Sequence, residues 1–267
     1  MPRLTLFGAG KMGGAMLAGA LKAGWPAKDI SVVEPFVSEP LATLAETHGF
    51  ALNPAQPEPA DIILLGIKPQ MLDSAAAGIA PAVSASTVVV SILAGKSIAN
   101  LAARLPATSK FVRAMPNTPA AIGRGITGTY ATPALTAAER DTVASLLATM
   151  GAVEWVANEA LIDAVTAVSG SGPAYVFHLV EALAAGGVEA GLPPDLALRL
   201  ARATVEGAGE LMHREPQTPA STLRENVTSP GGTTAAALGV LMGEGGLTPL
   251  MTKAVLAALH RAKELAG

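Results

Sequence analysis

No cysteine occurs in the 267 residues. Disulfides, thiolate metal sites and cysteine nucleophiles are therefore excluded, no metal site is expected, and cytoplasmic residence is the simplest expectation. A run of Lys and Arg able to track a phosphate backbone is also missing. The 18 basic and 21 acidic residues leave a net charge of −3, so nucleic acid is not an expected partner, whereas a small acidic metabolite is compatible. The stretch after Arg3 is apolar, yet Gly8, Gly10, Lys11, Gly13 and Gly14 interrupt it as a signal-peptide core. Later apolar segments carry Asp163, Glu181 or Glu189, and none offers the roughly 20 apolar residues of a membrane span. There is no internal repeat and no low-complexity tract, and the Pro-rich stretch from Asn53 to Pro59 is short enough to be a loop.

What is present is a chain whose residues are 50% hydrophobic, enough for a sizeable core. Its first part alternates strand and helix. Strands are expected at 4–7, 30–33, 61–67, 87–92, 110–113, 126–130 and 153–155, and helices at 11–23, 38–47, 98–105 and 136–150. Such alternation predicts an α/β fold with a doubly wound parallel sheet over residues 1–157. From residue 158 to 267 the strand signal stops. Helices are expected there, broken at 170–173, 191–194, 216–219 and 229–232. Several, such as 174–190, are apolar or Ala-rich around most of their circumference. One small domain cannot bury all of those faces, so packing against a second subunit is expected.

Gly8-Ala9-Gly10-Lys11-Met12-Gly13 directly follows the first strand and opens the first helix. Gly8 permits the tight turn, Gly10 lets the backbone approach a pyrophosphate, and Gly13 lets helix and strand pack closely. Free amides and the positive dipole end of that helix suit the phosphates of a dinucleotide. Glu34 closes the second strand 21 residues after Gly13, where an acid binds the ribose hydroxyls of adenosine. No Arg or Lys follows within ten residues to offset a 2′-phosphate. Glu34 reads as a feature that favours NADH or, more plainly, as an exposed residue of a turn before Pro35.

Gly66-Ile67-Lys68-Pro69, Ser91-Ile92-Leu93-Ala94-Gly95 and the segment from Arg113 to Pro119 lie at the C-terminal ends of later strands. Open α/β sheets bind ligands along that edge, so these loops are expected to face the nicotinamide half of the coenzyme. Lys68 reads either as a ligand to coenzyme hydroxyls or phosphate, or as a solvated loop residue, and Arg113 equally as a structural ion-pair partner. In the helical part, Ser229-Pro230-Gly231-Gly232-Thr233-Thr234 precedes an Ala-rich helix. Hydroxyls, flexible glycines and free first-turn amides there describe an anion site that a carboxylate fits. Ser169-Gly170-Ser171-Gly172-Pro173, with Thr166 one turn upstream, reads as a second such cradle or as an ordinary helix start.

Taken together, the segments 8–13, 68–69, 113–119, 167–175 and 227–234 resemble, in order and spacing, the pyrroline-5-carboxylate reductase family. The resemblance runs nearly end to end. It implies an N-terminal Rossmann domain and a C-terminal all-helical dimerisation domain, joined as a homodimer and often as a ring of dimers, with the active site at the dimer interface. The implied substrate is 1-pyrroline-5-carboxylate, reduced by NADPH or NADH to proline. On this pattern Ser229, Gly232, Thr233 and Thr234 hold the substrate carboxylate, and Thr166 lies near the ring nitrogen. Asn53 matches a position beside the adenosine ribose. Lys68, Pro69, Ala94, Gly95 and Asn117 match loops on the nicotinamide side. Members that prefer NADPH commonly carry polar or basic residues after the second strand. Glu34 departs from that, and use of both coenzymes is expected.

A further absence bears on the chemistry. Reducing a ketone requires an acid for the developing alkoxide, which related hydroxyacid dehydrogenases supply as a Lys, and no Lys lies between Lys110 and Lys253. His178, inside Tyr175-Val176-Phe177-His178-Leu179, reads as a packed helix residue rather than an acid. A protonated cyclic imine needs no such acid, because hydride addition yields a neutral amine, leaving orientation and carboxylate binding as the main demands. A hydroxyacid dehydrogenase and a catalytically silent dinucleotide-binding regulator are the competing readings.

Overall fold

The structure, a computed structural model, describes residues 1–266. The first elements along the chain are β1 (Leu4–Phe7), α1 (Lys11–Lys22), β2 (Ile30–Val33), α2 (Glu39–His48), β3 (Ala51–Leu52), β4 (Ile62–Leu65), α3 (Leu72–Ile79) and β5 (Val88–Ser91). They continue as α4 (Ile98–Arg104), β6 (Phe111–Met115), β7 (Gly125–Ala131), α5 (Ala137–Ala148), β8 (Gly151–Trp155) and α6 (Leu161–Val165). After a π-helical turn at Thr166–Gly170 come α7 (Gly172–Glu189), α8 (Pro194–Arg214), α9 (Ala220–Asn226), α10 (Thr233–Leu241) and α11 (Leu247–Ala266).

β1, β4, β5 and β6 are buried at every position. A strand without a polar alternate needs cover on both faces, which parallel pairing with crossover helices provides. Accordingly Leu6, Leu64 and Val90 join Met16, Leu17 and Leu146 in one cluster, while Phe7, Ile63, Leu65 and Val89 join Leu72, Ile79 and Leu101 in another. The eight strands follow the order β3-β2-β1-β4-β5-β6-β7-β8. The chain winds outward through β2 and β3, then returns to pair β4 with the free side of β1. The order reverses between β1 and β4, which is where an open α/β sheet forms its ligand crevice.

One pair departs from the expected parallel sheet. β6 and β7 run antiparallel, because only a short turn through a 3-10 helix at Thr118–Ile122 joins them, and a parallel return needs a crossover of a dozen or more residues. α5 then supplies such a crossover, and β8 pairs parallel with β7. Two elements were not expected from the sequence, the short edge strand β3 and the helix α3, whose Leu-Asp-Ser-Ala-Ala-Ala-Gly-Ile sequence buries only Leu72 and Ile79.

The chain divides into two compact units, residues 1–170 with the last turns of α11 from Ala258, and residues 171–257. Within the helical unit α7 packs along α8, and a Cβ on Gly187 would lie 3.1 Å from that of Ala197, so the glycine sets how closely the pair approaches. Ala197 and Ala201 on α8 are the buried hydrophobic residues of this unit. Among the described residues no helix is long and apolar enough to cross a membrane.

Candidate active site

The glycine-rich turn at the end of β1 is shaped by backbone contact. Gly8 has φ +92°, and a Cβ there would lie 2.6 Å from the carbonyl carbon of Gly66 and the nitrogen of Ile67. Its own N–H donates to the Val33 carbonyl at 2.9 Å, and the Gly66 N–H donates to the Phe7 carbonyl at 2.7 Å. The strand ends of β1, β2 and β4 are thereby locked together at the point of reversal. On Gly13 a Cβ would lie 2.1 Å from the Gly8 carbonyl oxygen, so glycine there lets α1 start directly against the turn. Gly10 is different, because a Cβ would meet nothing within 4 Å. Packing does not require glycine at that position, whereas a ligand approaching the loop backbone does. α1 begins at Lys11, capped by Gly10 without a side-chain bond and without an acidic residue in its first turn. The amides beside exposed Lys11 and half-buried Met12 therefore remain available to an anion.

Glu34 lies just beyond β2 and reaches back across this loop. Its Oε2 accepts the Ala9 N–H at 2.8 Å and its Oε1 accepts the Phe36 N–H at 2.9 Å. It is thus an integral part of the turn rather than a solvated residue beside it. Asn53, following β3, is adjacent, and its amide group bonds both to the N–H and to the C=O of Glu34. Neither the tie to Ala9 nor the Asn53 clasp was legible in the sequence, since each joins segments 19 or more residues apart.

Further along the edge, exposed Lys68 precedes the 3-10 turn that starts at Pro69. Ala94 is exposed, and Gly95 has φ +70° with a Cβ position 3.0 Å from the Leu265 carbonyl oxygen. Asn117 is held at both ends, its Oδ1 accepting the Ile126 N–H at 3.0 Å and its Nδ2 donating to the Ser169 hydroxyl at 3.2 Å. Arg113 is 5% exposed and pairs with Glu159 at 3.0 Å and Asp163 at 3.5 Å. Glu159 also accepts the Ile98 N–H at the start of α4. Of the two readings of Arg113, the structural ion pair is the one observed. It ties β6 and α4 to the start of α6, the helix that leads to Thr166.

Between Ser169 and Pro173 there is no open cradle. The π-helical turn carries Thr166 through Gly170, and α7 starts at Gly172. Ser171 lies between the two as a bend, so the helical run is interrupted within the expected 170–173. Single π turns of this kind are frequent at functional sites. The Thr166 hydroxyl donates to the Ile162 carbonyl at 2.8 Å, which leaves its lone pairs to accept.

In the helical unit the loop before α10 offers no side-chain cap to that helix. Gly231 has φ +71°, the Gly232 N–H donates to the Ser229 carbonyl at 3.0 Å, and α10 begins at Thr233 without a side-chain cap or an early acidic residue. Among the described residues the hydroxyls of Ser229, Thr233 and Thr234 have no protein partner. First-turn amides and three hydroxyls on one short loop fit a carboxylate. His178 does not pack as expected. It lies exposed on α7, which buries none of its residues, and its Nδ1 pairs with Glu181 at 2.9 Å. No group of acidic and His residues suited to a metal ion occurs among the described residues.

Comparison with known proteins shows the family of the chain. Residues 159–265 match the family model described as pyrroline-5-carboxylate reductase dimerisation. Residues 3–95 match the model described as NADP oxidoreductase, coenzyme F420-dependent. The chain is 38% identical over 99% of its length to the pyrroline-5-carboxylate reductase of Pseudomonas aeruginosa, 97% of which is covered. It belongs to the pyrroline-5-carboxylate reductase family.

Solved structures of the family show the same fold. The pyrroline-5-carboxylate reductase of Coxiella burnetii is 33% identical with a TM-score of 0.91, covering 100% of this chain and 99% of that one. The pyrroline carboxylate reductase of Plasmodium falciparum, solved with NADP bound, is 27% identical with a TM-score of 0.78, covering 100% and 98%.

Proposed function

We propose that the chain reduces 1-pyrroline-5-carboxylate to L-proline, the last step of proline biosynthesis, with hydride taken from NADPH or NADH. The observation that carries this reading is the family match along nearly the whole chain, which spans both the glycine-rich edge and the loop before α10. A reduced nicotinamide coenzyme supplies the hydride. Gly8, Gly10, Lys11, Met12 and Gly13 would hold its pyrophosphate, with Glu34 and Asn53 at the adenosine end. Lys68, Pro69, Ala94, Gly95 and Asn117 would line the nicotinamide side.

Ser229, Gly232, Thr233 and Thr234 would bind the imine carboxylate and fix the ring, which is most of what this reaction requires. Because the Thr166 hydroxyl already donates to Ile162, it is suited to accept the N–H of a protonated imine and so to favour the electrophilic form of the C=N. Thr234 is the second hydroxyl assigned to the nitrogen and its proton. Hydride addition at the carbon then gives a neutral secondary amine, with no alkoxide for a Lys or His to protonate.

The helical region from residue 158 to 267 serves self-association as well as substrate binding. We assign the assembly as a homodimer able to build a ring of dimers, and its residence as cytoplasmic, in keeping with the cysteine-free composition.

The test is the loss of reduced-nicotinamide absorbance when the purified protein meets pyrroline-5-carboxylate, run with NADPH and with NADH. Turnover with proline as product is expected. Coenzyme binding without turnover of any cyclic imine would instead support the silent regulator.

A further inference from the structure

The antiparallel pair of β6 and β7 is the seat of α6. Met115 stands opposite Gly128 and Arg113 opposite Tyr130, and residues directly opposite on such a pair share a face of the sheet. On that face Arg113 binds Glu159, just ahead of α6, and Asp163 within it. The last residue of the helix, Val165, rests on Gly128. A Cβ built on Gly128 would lie 2.5 Å and 2.8 Å from the two Val165 methyl carbons and 3.1 Å from the Val165 Cβ. Gly128 is not among the glycines with positive φ, so its backbone suits any residue. The contact with Val165 is what requires glycine there.

Three constraints decide how a Cβ at position 128 would be accommodated. Val165 is β-branched, and its Cβ and both methyls all lie within 3.1 Å of that point, so rotating the side chain does not clear it. β7 is bonded to β6 on one side and to β8 on the other, so the strand does not withdraw. The start of α6 is pinned by the Arg113 ion pairs. What is left to move is the end of the helix, by about 1 Å or more, the shortfall from an ordinary carbon–carbon contact. Thr166 follows Val165 without a break, at φ −58° and ψ −45°, and takes up the displacement directly. The far end of the π turn stays tied through the bond from Asn117 to Ser169.

We propose that Gly128 is a positioning residue for imine reduction: by admitting Val165 against β7 it sets the depth at which α6 delivers Thr166 to the imine nitrogen. This deepens the proposed function and rests on its assignment of Thr166, and it is independent of which coenzyme supplies the hydride.

The test compares Gly128→Ala, Val165→Ala and the double variant in turnover of pyrroline-5-carboxylate and in coenzyme dissociation constants titrated without substrate. A misplacement of about 1 Å can cost about a hundredfold in rate, so kcat of Gly128→Ala is expected to fall by about tenfold to a hundredfold while coenzyme affinity stays within about twofold. Val165→Ala removes the two methyl groups that collide, and in the double variant turnover is expected to return to within about threefold of Val165→Ala alone. That rescue separates depth of seating from loss of fold, because two substitutions that only destabilise would add rather than cancel. An unchanged kcat in Gly128→Ala, an equal loss of coenzyme affinity, or a loss that persists in the double variant would overturn the proposal. Should Gly128→Ala alone not fold, the double variant decides against Val165→Ala: a rate within about threefold supports the proposal and one lower by more than about tenfold overturns it. Failure of the unaltered chain to reduce the imine, seen before any variant is compared, would overturn the assigned substrate and this proposal with it.

Discussion

The sheet unit and the helical unit satisfy their apolar residues in opposite ways. In the first, four strands are buried at every position and covered on both faces by helices of the same chain. In the second, α7 buries no residue, and large side chains such as Phe177, Leu179 and Leu183 remain exposed. The first unit builds its candidate site from backbone contacts that leave little freedom. The second holds its candidate carboxylate loop on elements whose apolar faces call for another copy, in keeping with the dimerisation model that matches residues 159–265. Each candidate loop is therefore supported by a different kind of stability, one intrinsic to the chain and one dependent on concentration.

The strongest way to probe the intrinsic half is Gly8→Ala. Positive φ and a Cβ position 2.6 Å from the backbone of Gly66 and Ile67 leave no room, and a loss of about 3 kcal/mol or more is expected in urea unfolding, together with coenzyme binding. Gly10→Ala is the control that separates fold from site. Its Cβ meets nothing, so stability is expected to stay within about 1 kcal/mol while coenzyme affinity falls.

The dependent half is addressed by Phe177→Asp. Phe177 is 64% exposed in the single chain, and a charge there is expected to cost association about 2 kcal/mol or more, so that sedimentation at micromolar protein shows monomer. Retention of the full assembly would mean that α7 does not form the contact.

The smallest effect concerns carboxylates. Burial raises the pKa of Glu139, but the Lys110 ammonium and the Thr136 N–H and hydroxyl outweigh it and hold the carboxyl below its ordinary value. A depressed carboxyl stabilises the fold above the unfolded value, and that contribution disappears as pH falls through the folded one. Glu139→Gln is expected to cost roughly 0.5–1 kcal/mol at neutral pH and nothing at a pH below the folded value of the carboxyl. Glu181→Gln in the helical unit, whose pair with His178 has both side chains more than 70% exposed, is expected to change stability by less than about 0.3 kcal/mol at either pH.

Much of the candidate coenzyme edge was legible because it is local. Gly8 to Gly13 lie in six consecutive residues between a strand and a helix, and Glu34 sits at the end of the next strand, so periodicity and spacing alone single them out as candidates. The loop before α10 was legible for the same reason, since its glycines, hydroxyls and helix start are contiguous. Helix α3 was missed because it buries only two positions, too few for a periodic signal, and β3 because two residues carry no pattern at all. The break expected at 170–173 falls at Ser171, but the π turn at Thr166–Gly170 just before it was not legible, because one irregular turn leaves no periodic signal.

By itself the sequence determined the two-part organisation, the glycine-rich turn after β1, the family and thereby the reaction, all through short-range patterns that survive without coordinates. Only the tertiary structure decided which of those residues act on one another: that Arg113 is an ion-pair anchor, that Asn117 meets Ser169, and that Asn53 grips Glu34, which in turn holds Ala9. These contacts join segments 19 to 52 residues apart. The chain's local chemistry permits many partners for each such group, and the strand order brings one of them within hydrogen-bond reach.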